Sequence, residues 1–496
     1  MAQSPAAPQT FLWHDYETFG ADPRRDRPSQ FAAIRTDADL NEIGEPLTLF
    51  CKPSDDFLPH PQACLITGIT PQQARRRGLP EAEFAGVVAA AMSEPGTCAV
   101  GYNSLRFDDE VSRHLFYRNL IDPYAREWQN GNSRWDLIDV VRAFYALRPA
   151  GIEWPLRDDG APSFKLEHLT AANGIAHAGA HDALADVRAT IALARLLRER
   201  NGKLFDYLLG LRGKRAVARQ LDLPGRKPVL HISRRYPASR GCSALVMPLA
   251  EHPTNPNGVI VFDLSMDPVP LLELTAAQIR ERVFVSNDDL AEGAERIPLK
   301  VIHLNKCPVL FPTGALKDID GPHKGEYGTI VARLGLDLAT CRAHWKQLST
   351  HPEVAARVAE VFATPPPEPP HDPDLMLYAG GFFSPADRQQ MQRVRQTDPW
   401  DLVGARFAFQ DPRLEEMLFR YRARSYPDTL ESDEQARWEA FRWERMNDPA
   451  VASLTLQAFA RDIERLNGET LTDRERQILE ELVMHVEAIM PPQAFG

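Results

Sequence analysis

The 496-residue chain carries 57 Lys plus Arg against 68 Asp plus Glu, a net charge of −11, with 44% hydrophobic and 25% charged residues. This is the composition of a globular protein of roughly two to four domains, and it argues against a general polyanion binder. No apolar run reaches the roughly 18 residues that would span a membrane. The opening MAQSPAAPQT has neither the basic nor the apolar region of a secretory leader, and the six Cys (51, 64, 98, 242, 307 and 341) contain no C-x-x-C, so a cytoplasmic protein with reduced thiols is expected.

Charge is unevenly spread. Residues 201–355 are net +4 and residues 356–496 net −9. Between Lys203 and Arg240 there are ten Lys or Arg and two Asp, a local basic stripe compatible with either a solvated surface or nucleic acid held in one groove.

In chain order, Phe11-Leu-Trp13 opens a predicted β-strand on which Asp15 and Glu17 follow. Strand side chains alternate, so positions i and i+2 share a face. Two carboxylates on one face repel each other unless a cation lies between them, and a divalent metal suits that place. The runs 32–36, 47–51 and 98–102 read as further strands. Asn103-Ser-Leu-Arg-Phe-Asp108 leads from the last of these into a helix. Another helix begins at Trp135. His181-Asp-Ala-Leu-Ala-Asp186 opens an amphipathic helix, with Val187, Ile191 and Ala194 on one face and Asp182 as its N-cap. Strands followed by strand–helix alternation predict a mixed sheet covered by helices.

Residues 201–355 offer short β runs at 229–232, 244–247, 259–262 and 301–304, a small barrel or open sheet. A Pro-rich connector spans 364–373. The rest reads as helical, with a capping box at Thr472 and Glu475.

Four acids can be gathered from this pass: Asp15, Glu17, Asp108 and Asp186. They are hard oxygen ligands suited to Mg²⁺ or Mn²⁺, and four carboxylates suit two ions rather than one. Imidazoles in general can exchange a proton near neutrality, which makes His181 the candidate for a general base on water. Each residue alone has a plainer reading. Asp186 would be a surface carboxylate, Asp108 a helix cap and His181 a helix-entry residue. Their order along the chain makes a signature: D-x-E on a first strand, N-x-x-x-F-D before a helix, and H-x-x-x-x-D closing the segment.

That signature resembles the DEDDh 3′→5′ exonuclease superfamily. The segments HDYETFG, RPSQFAAIRTD, LITGITPQ, NSRWDLIDV, AHDALADV and HLNKCPVL are together similar to the bacterial exodeoxyribonuclease I family. The resemblance implies an α/β architecture: a ribonuclease-H-like exonuclease domain over 1–200, an SH3-like β domain over 201–355, a linker over 356–373 and a C-terminal α-helical domain over 374–496. It implies 3′→5′ hydrolysis of single-stranded DNA to 5′-mononucleotides with Mg²⁺. Asp15, Glu17, Asp108 and Asp186 would be the metal ligands and His181 the base.

Cations interleaved with aromatics suit a single strand, whose backbone meets charge and whose bases stack. By resemblance, Glu17, Arg113, Tyr124, Trp128, Arg142, Phe164, Asn257 and Lys300 contact substrate. Lys165, in Ser163-Phe-Lys-Leu-Glu-His168, stands where the family has Arg; it keeps the charge and loses the two-pronged hydrogen bonding. Arg148 and Tyr207 match positions that capture the acidic C-terminal tail of single-stranded-DNA-binding protein. A monomer is expected. Two rival readings remain at this level: a DEDDh exoribonuclease, and a single-strand-binding module with an inactive nuclease site.

Overall fold

The computed structural model describes residues 10–491 except 178, 180, 291–292, 319–323, 365–367 and 369. The leader expectation at residues 1–9 and part of the Pro-rich connector fall outside these. The chain forms two compact units that do not follow its linear order. The larger comprises Pro8–Ser133, His177–Ile191 and Glu368–Gly496; the smaller comprises Arg134–Ala176 and Ala192–Pro367. No helix among the described residues is long and apolar enough to cross a membrane.

The larger unit is built on β1 (Thr10–Thr18), β2 (Pro28–Thr36), β3 (Glu42–Phe50) and β4 (Thr97–Gly101), in the order β3-β2-β1-β4. β1 pairs antiparallel with β2 and parallel with β4, so the sheet is mixed, as the alternation predicted. The apolar start of β1 accounts for its central place. Phe11, Leu12 and Trp13 are buried, and the Trp13 indole N–H donates to Thr36 Oγ1 at 3.0 Å. One core joins Leu12, Tyr16 and Phe31 of the sheet to Phe84, Val88 and Met92 of helix α1 (Glu81–Ser93) and to Val111 and Leu115 of α2 (Asp108–Arg118). A second core joins Phe19, Phe57 and Ile69 to Phe459, Ile478 and Leu482 from the C-terminal segment. Its last helix, Asp473–Ile489, carries the expected capping box of Thr472 and Glu475.

Beneath these cores lies a buried ionic network. Arg27 meets Asp56 at 3.3 Å and Glu81 at 3.6 Å, and Arg118 meets Glu81 at 2.7 Å. Arg424 meets Asp56 at 2.9 Å and also bonds Asp374, and Arg420 meets Asp374 at 3.0 Å. Arg445 lies within 4 Å of Asp56, Asp372 and Asp374. Guanidinium groups are the cations best suited to such desolvated pairing, because they stay charged and grip both carboxylate oxygens.

In the smaller unit, β5 (Val229–Ile232), β6 (Ser243–Glu251), β7 (Gly258–Asp263), β8 (Leu299–His303) and β9 (Val309–Pro312) form an antiparallel sheet in the order β9-β5-β6-β7-β8. Four of these strands were expected. β9 is a four-residue run bounded by Pro308 and Pro312 and carries too little pattern to be read alone.

Candidate active site

β1 pairs with β4 only as far as Trp13, opposite Val100. Beyond that point β1 continues without its parallel neighbour, and Asp15 and Glu17 stand on this extension. Gly101 ends β4 where no side chain fits: a Cβ there would lie 2.7 Å from Ser104 Cβ and 2.9 Å from the His14 carbonyl. Asn103 then turns with φ +64°, a left-handed conformation that Asn tolerates, and the chain enters α2 at Asp108. Asp108 is buried, and its Oδ1 accepts the Tyr16 backbone N–H at 3.0 Å. A carboxylate thus takes the hydrogen bond that a longer β4 would have supplied, and this anchors the third acid between the first two.

The fourth acid arrives on α3 (Ala183–Arg200). Asp182 caps it, accepting the Ala185 N–H at 3.1 Å. Gln30 on β2 secures the helix start, accepting the Ala183 N–H at 3.3 Å and donating to Asp182 Oδ2 at 3.4 Å. Asp186 follows one turn later. Ligand atoms of Glu17, His181 and Asp186 all lie within 4.8 Å of one another. His181 is exposed and holds φ +69°.

The electrostatics of this cluster run in one direction. Burial, followed by the charges of Asp108, Glu17 and Asp186, pushes the Asp15 carboxyl well above the usual range. Burial, followed by Asp186 and Asp108, pushes Glu17 up to about 9. Burial also raises Asp186, although a hydrogen bond from His177 works against it. Carboxylates so arranged attract a proton or a cation, and a cluster of hard oxygens with one imidazole fits a divalent ion such as Mg²⁺ or Mn²⁺.

Two features of the larger unit were not read from the sequence. His177 Nε2 lies 2.5 Å from Asp186 Oδ1. Its only signal was a second histidine four residues before His181. The other is what Tyr378 and Phe382 add beside Tyr124 and Arg113, which were expected contacts. Tyr124 meets Phe382 edge-to-face at 5.8 Å, and Phe382 is 84% exposed. The Arg113 guanidinium lies over the Tyr124 ring at 5.4 Å. Tyr378 donates to Glu110 at 2.6 Å and accepts from Arg113 at 3.0 Å. Trp128 is 66% exposed. Tyr378 and Phe382 come from the segment after the Pro-rich connector, where Gly380-Gly-Phe-Phe383 was the available hint. Arg113 is itself buried, and it pairs with Glu127 and Glu110, each at 2.8 Å.

The remaining candidates belong to the smaller unit. Phe164 is buried beside Tyr145 at 5.6 Å, with the Arg142 guanidinium 5.6 Å from its ring; Arg142 also pairs with Asp139 at 2.5 Å. Lys165 is 68% exposed and lies 3.7 Å from Glu167. The Asn257 carbonyl accepts the Leu304 N–H at 2.8 Å, and Lys300 Nζ sits 4.3 Å from the centre of the Tyr236 ring. Arg148 donates to the Leu147 carbonyl. Tyr207 stacks on Phe311 at 5.0 Å and donates to the Leu310 carbonyl at 2.8 Å.

Comparison with known proteins agrees with this architecture. Residues 12–194 match the profile of an exonuclease family, 212–364 that of the exonuclease I SH3-like domain, and 371–489 that of the exonuclease I C-terminal domain. Exodeoxyribonuclease I of Escherichia coli (strain K12) is 48% identical over 97% of this chain and 98% of its own length. The structure of a moderately thermophilic exonuclease I from Methylocaldum szegediense superposes with a TM-score of 0.91 at 51% identity, covering 97% of this chain and 99% of that one. E. coli exonuclease I bound to a dA16 oligonucleotide gives 0.91 at 47% identity, covering 97% and 100%. Two other structures, a zinc-bound complex of E. coli exonuclease I with single-stranded DNA and a complex of SSB with exonuclease I and an inhibitor, give 0.90 and 0.87 at 46% and 45% identity, covering 97% of this chain and 99% and 100% of theirs. With the acids and histidine of its signature gathered at the end of β1 and relatives matching almost end to end, the chain belongs to the exodeoxyribonuclease I family of enzymes.

Proposed function

We propose that this enzyme removes 5′-mononucleotides stepwise and processively from the 3′ end of single-stranded DNA, in DNA repair or recombination, using two divalent ions, Mg²⁺ with Mn²⁺ as a substitute. The observation that carries the reading is the convergence of Asp15, Glu17, Asp108, Asp186 and His181 at one strand end, with the carboxyls raised by burial and by one another. The oligonucleotide-bound E. coli relatives support the substrate class.

Asp15, Glu17, Asp108 and Asp186 would hold the ions. When bound, the ions supply charge stabilisation at the scissile phosphate. His181 takes the proton of the attacking water at an imidazole nitrogen. The new P–O bond forms as the bond to the 3′-oxygen of the next nucleotide breaks, freeing a 5′-mononucleotide and a shortened strand whose 3′-hydroxyl is protonated from solvent. Exposed His181 can return its proton to water between cycles. Tyr124 and Trp128 would stack bases, and Phe164 with Arg142, Lys165, Asn257 and Lys300 would extend the contacts. Arg113, already paired with Glu110 and Glu127, would steady the Tyr124 ring. Arg148 and Tyr207 would take the acidic tail of single-stranded-DNA-binding protein, a partner class supported by the solved complex of SSB with a related exonuclease I. We further propose that the enzyme acts as a monomer and keeps the three-domain division given above.

The test uses 5′-labelled single-stranded DNA with Mg²⁺, beside the same strand in duplex, with a blocked 3′ end, and as RNA. A ladder shortening from the 3′ end of the free DNA alone is expected. Cleavage of the RNA at an equal rate would overturn the substrate assignment. Tight DNA binding without cleavage under any divalent metal would overturn the catalytic one.

A further inference from the structure

Asp186 is held on both of its oxygens by one short stretch of chain. Its Oδ1 lies 2.5 Å from His177 Nε2, and its Oδ2 accepts the backbone N–H of His181 at 3.3 Å. The carboxylate is therefore a clasp between the two histidines, four residues apart. The His177 ring is largely shielded, with 6% of its side chain exposed, and Asp186 is 20% exposed. A hydrogen bond between an imidazole and a carboxylate sheltered from water is both strong and directional. The far end of the clasp needs support, because His181 adopts φ +69°, a backbone conformation uncommon for a residue with a Cβ and one that persists where the surroundings enforce it.

We propose that His177 is a positioning residue of the active site: through its Nε2–H bond to Asp186 it fixes the rotation of that carboxylate, and through the carboxylate it sets the placement of His181. This rests on the reading of Asp186 as a metal ligand and His181 as the base. It gives the two histidines different tasks. His181 stands exposed where a water can reach it, and His177 stands sheltered against the carboxylate. Partners of this kind, behind a ligand rather than in contact with the ion, orient ligands in metal sites generally.

The test compares wild type with His177→Ala, His177→Met and His177→Gln, using Asp186→Ala as the reference. Gln can present an amide N–H close to the position of Nε2, whereas Met fills similar space with no donor. Metal affinity is read without DNA, from the paramagnetic resonance signal of free Mn²⁺ during titration; kcat and KM are read separately on a labelled oligonucleotide. Expected for His177→Ala and His177→Met are a loss of Mn²⁺ affinity and a fall in kcat, each about 10–100-fold, with KM for the oligonucleotide unchanged. His177→Gln should recover most of both. Thermal unfolding of each variant separates misfolding from mispositioning. If His177→Ala does not fold, the Met and Gln pair decides. Equal Mn²⁺ affinity and kcat in Met and Gln variants, or wild-type values in either Ala or Met, would overturn the assignment. Should Asp186→Ala itself bind Mn²⁺ and cleave as wild type does, the underlying reading of the site fails instead.

Discussion

The larger unit contains two buried groups of carboxylates that differ in one respect. At the end of β1, Asp15 and Glu17 face other acids, and burial and repulsion together push them up, Glu17 to about 9. In the network below the cores, Asp56 and Glu81 are more deeply buried still. There burial is outweighed by Arg424 and Arg27 for Asp56, and by Arg118 and Arg27 for Glu81, and both are held below the usual range. The same chemical group therefore serves opposite ends. One set has its charge satisfied by the protein, and the other, under the proposed function, is the set that would hold a cation.

The contrast is open to test, and the largest effect is expected at the unsatisfied set. Asp186→Ala should lower the cleavage rate on the order of 10⁴-fold or more, as read on a labelled single strand, while the protein stays folded. Removal of one member of the satisfied set should act on stability instead. Asp56→Ala leaves Arg27 and Arg424 without a shared partner, and urea unfolding should show a loss of about 3–5 kcal/mol. Asp15→Asn should do the reverse in metal-free protein and raise its unfolding midpoint, since it removes a repelled charge.

The two sets also divide the pH axis. Glu17 has a folded value raised above its ordinary 4.5, so its contribution to stability is complete below that value and is lost as pH rises toward about 9. Asp56 and Glu81 are lowered, so theirs is present above the ordinary carboxylate range and is lost as pH falls. With metal chelated, the thermal midpoint of wild type should drop between pH 5 and 9 more steeply than that of Glu17→Gln. Saturating Mg²⁺, at about 100 times its dissociation constant, should restore about 2.7 kcal/mol at the alkaline end. The smallest effect belongs to the exposed rings. Trp128→Ala should weaken binding of a single strand by about 1–3 kcal/mol, measured by fluorescence anisotropy, with the unfolding midpoint unmoved.

Much of the unsatisfied set was legible in the chain because its residues lie on regular elements. Asp15 and Glu17 share a face through strand alternation, Asp108 begins a helix, and Asp186 lies one turn after a capped start. The satisfied set was invisible. Arg27, Asp56, Glu81, Asp374 and Arg424 are scattered over nearly 400 positions, sit mostly at loop or element ends, and follow no period. His177 escaped for a related reason: the contact that gives it meaning is with a carboxylate nine residues on, reached by a turn rather than along a helix face. Arg113 was read as a substrate contact interleaved with aromatics; its place over the Tyr124 ring and its pairing with Glu110 and Glu127 show only in three dimensions. β9 was missed because a four-residue run that follows one proline and ends on another carries no alternation.

The course of the ionic network sets an order in time. Asp56 and Glu81 leave the ribosome early, whereas Arg424 and Arg445, which neutralise Asp56, leave it near the end of synthesis. The pairing of Asp56 and the core shared by Phe19, Phe57, Phe459 and Leu482 are thus both completed from the far end of the chain. Non-local closure of this kind is slow and late in folding. A chain that ended before Arg424 would lack two of the cations that pair with Asp56 and the Phe459 and Leu482 side of the core that Phe19 and Phe57 share.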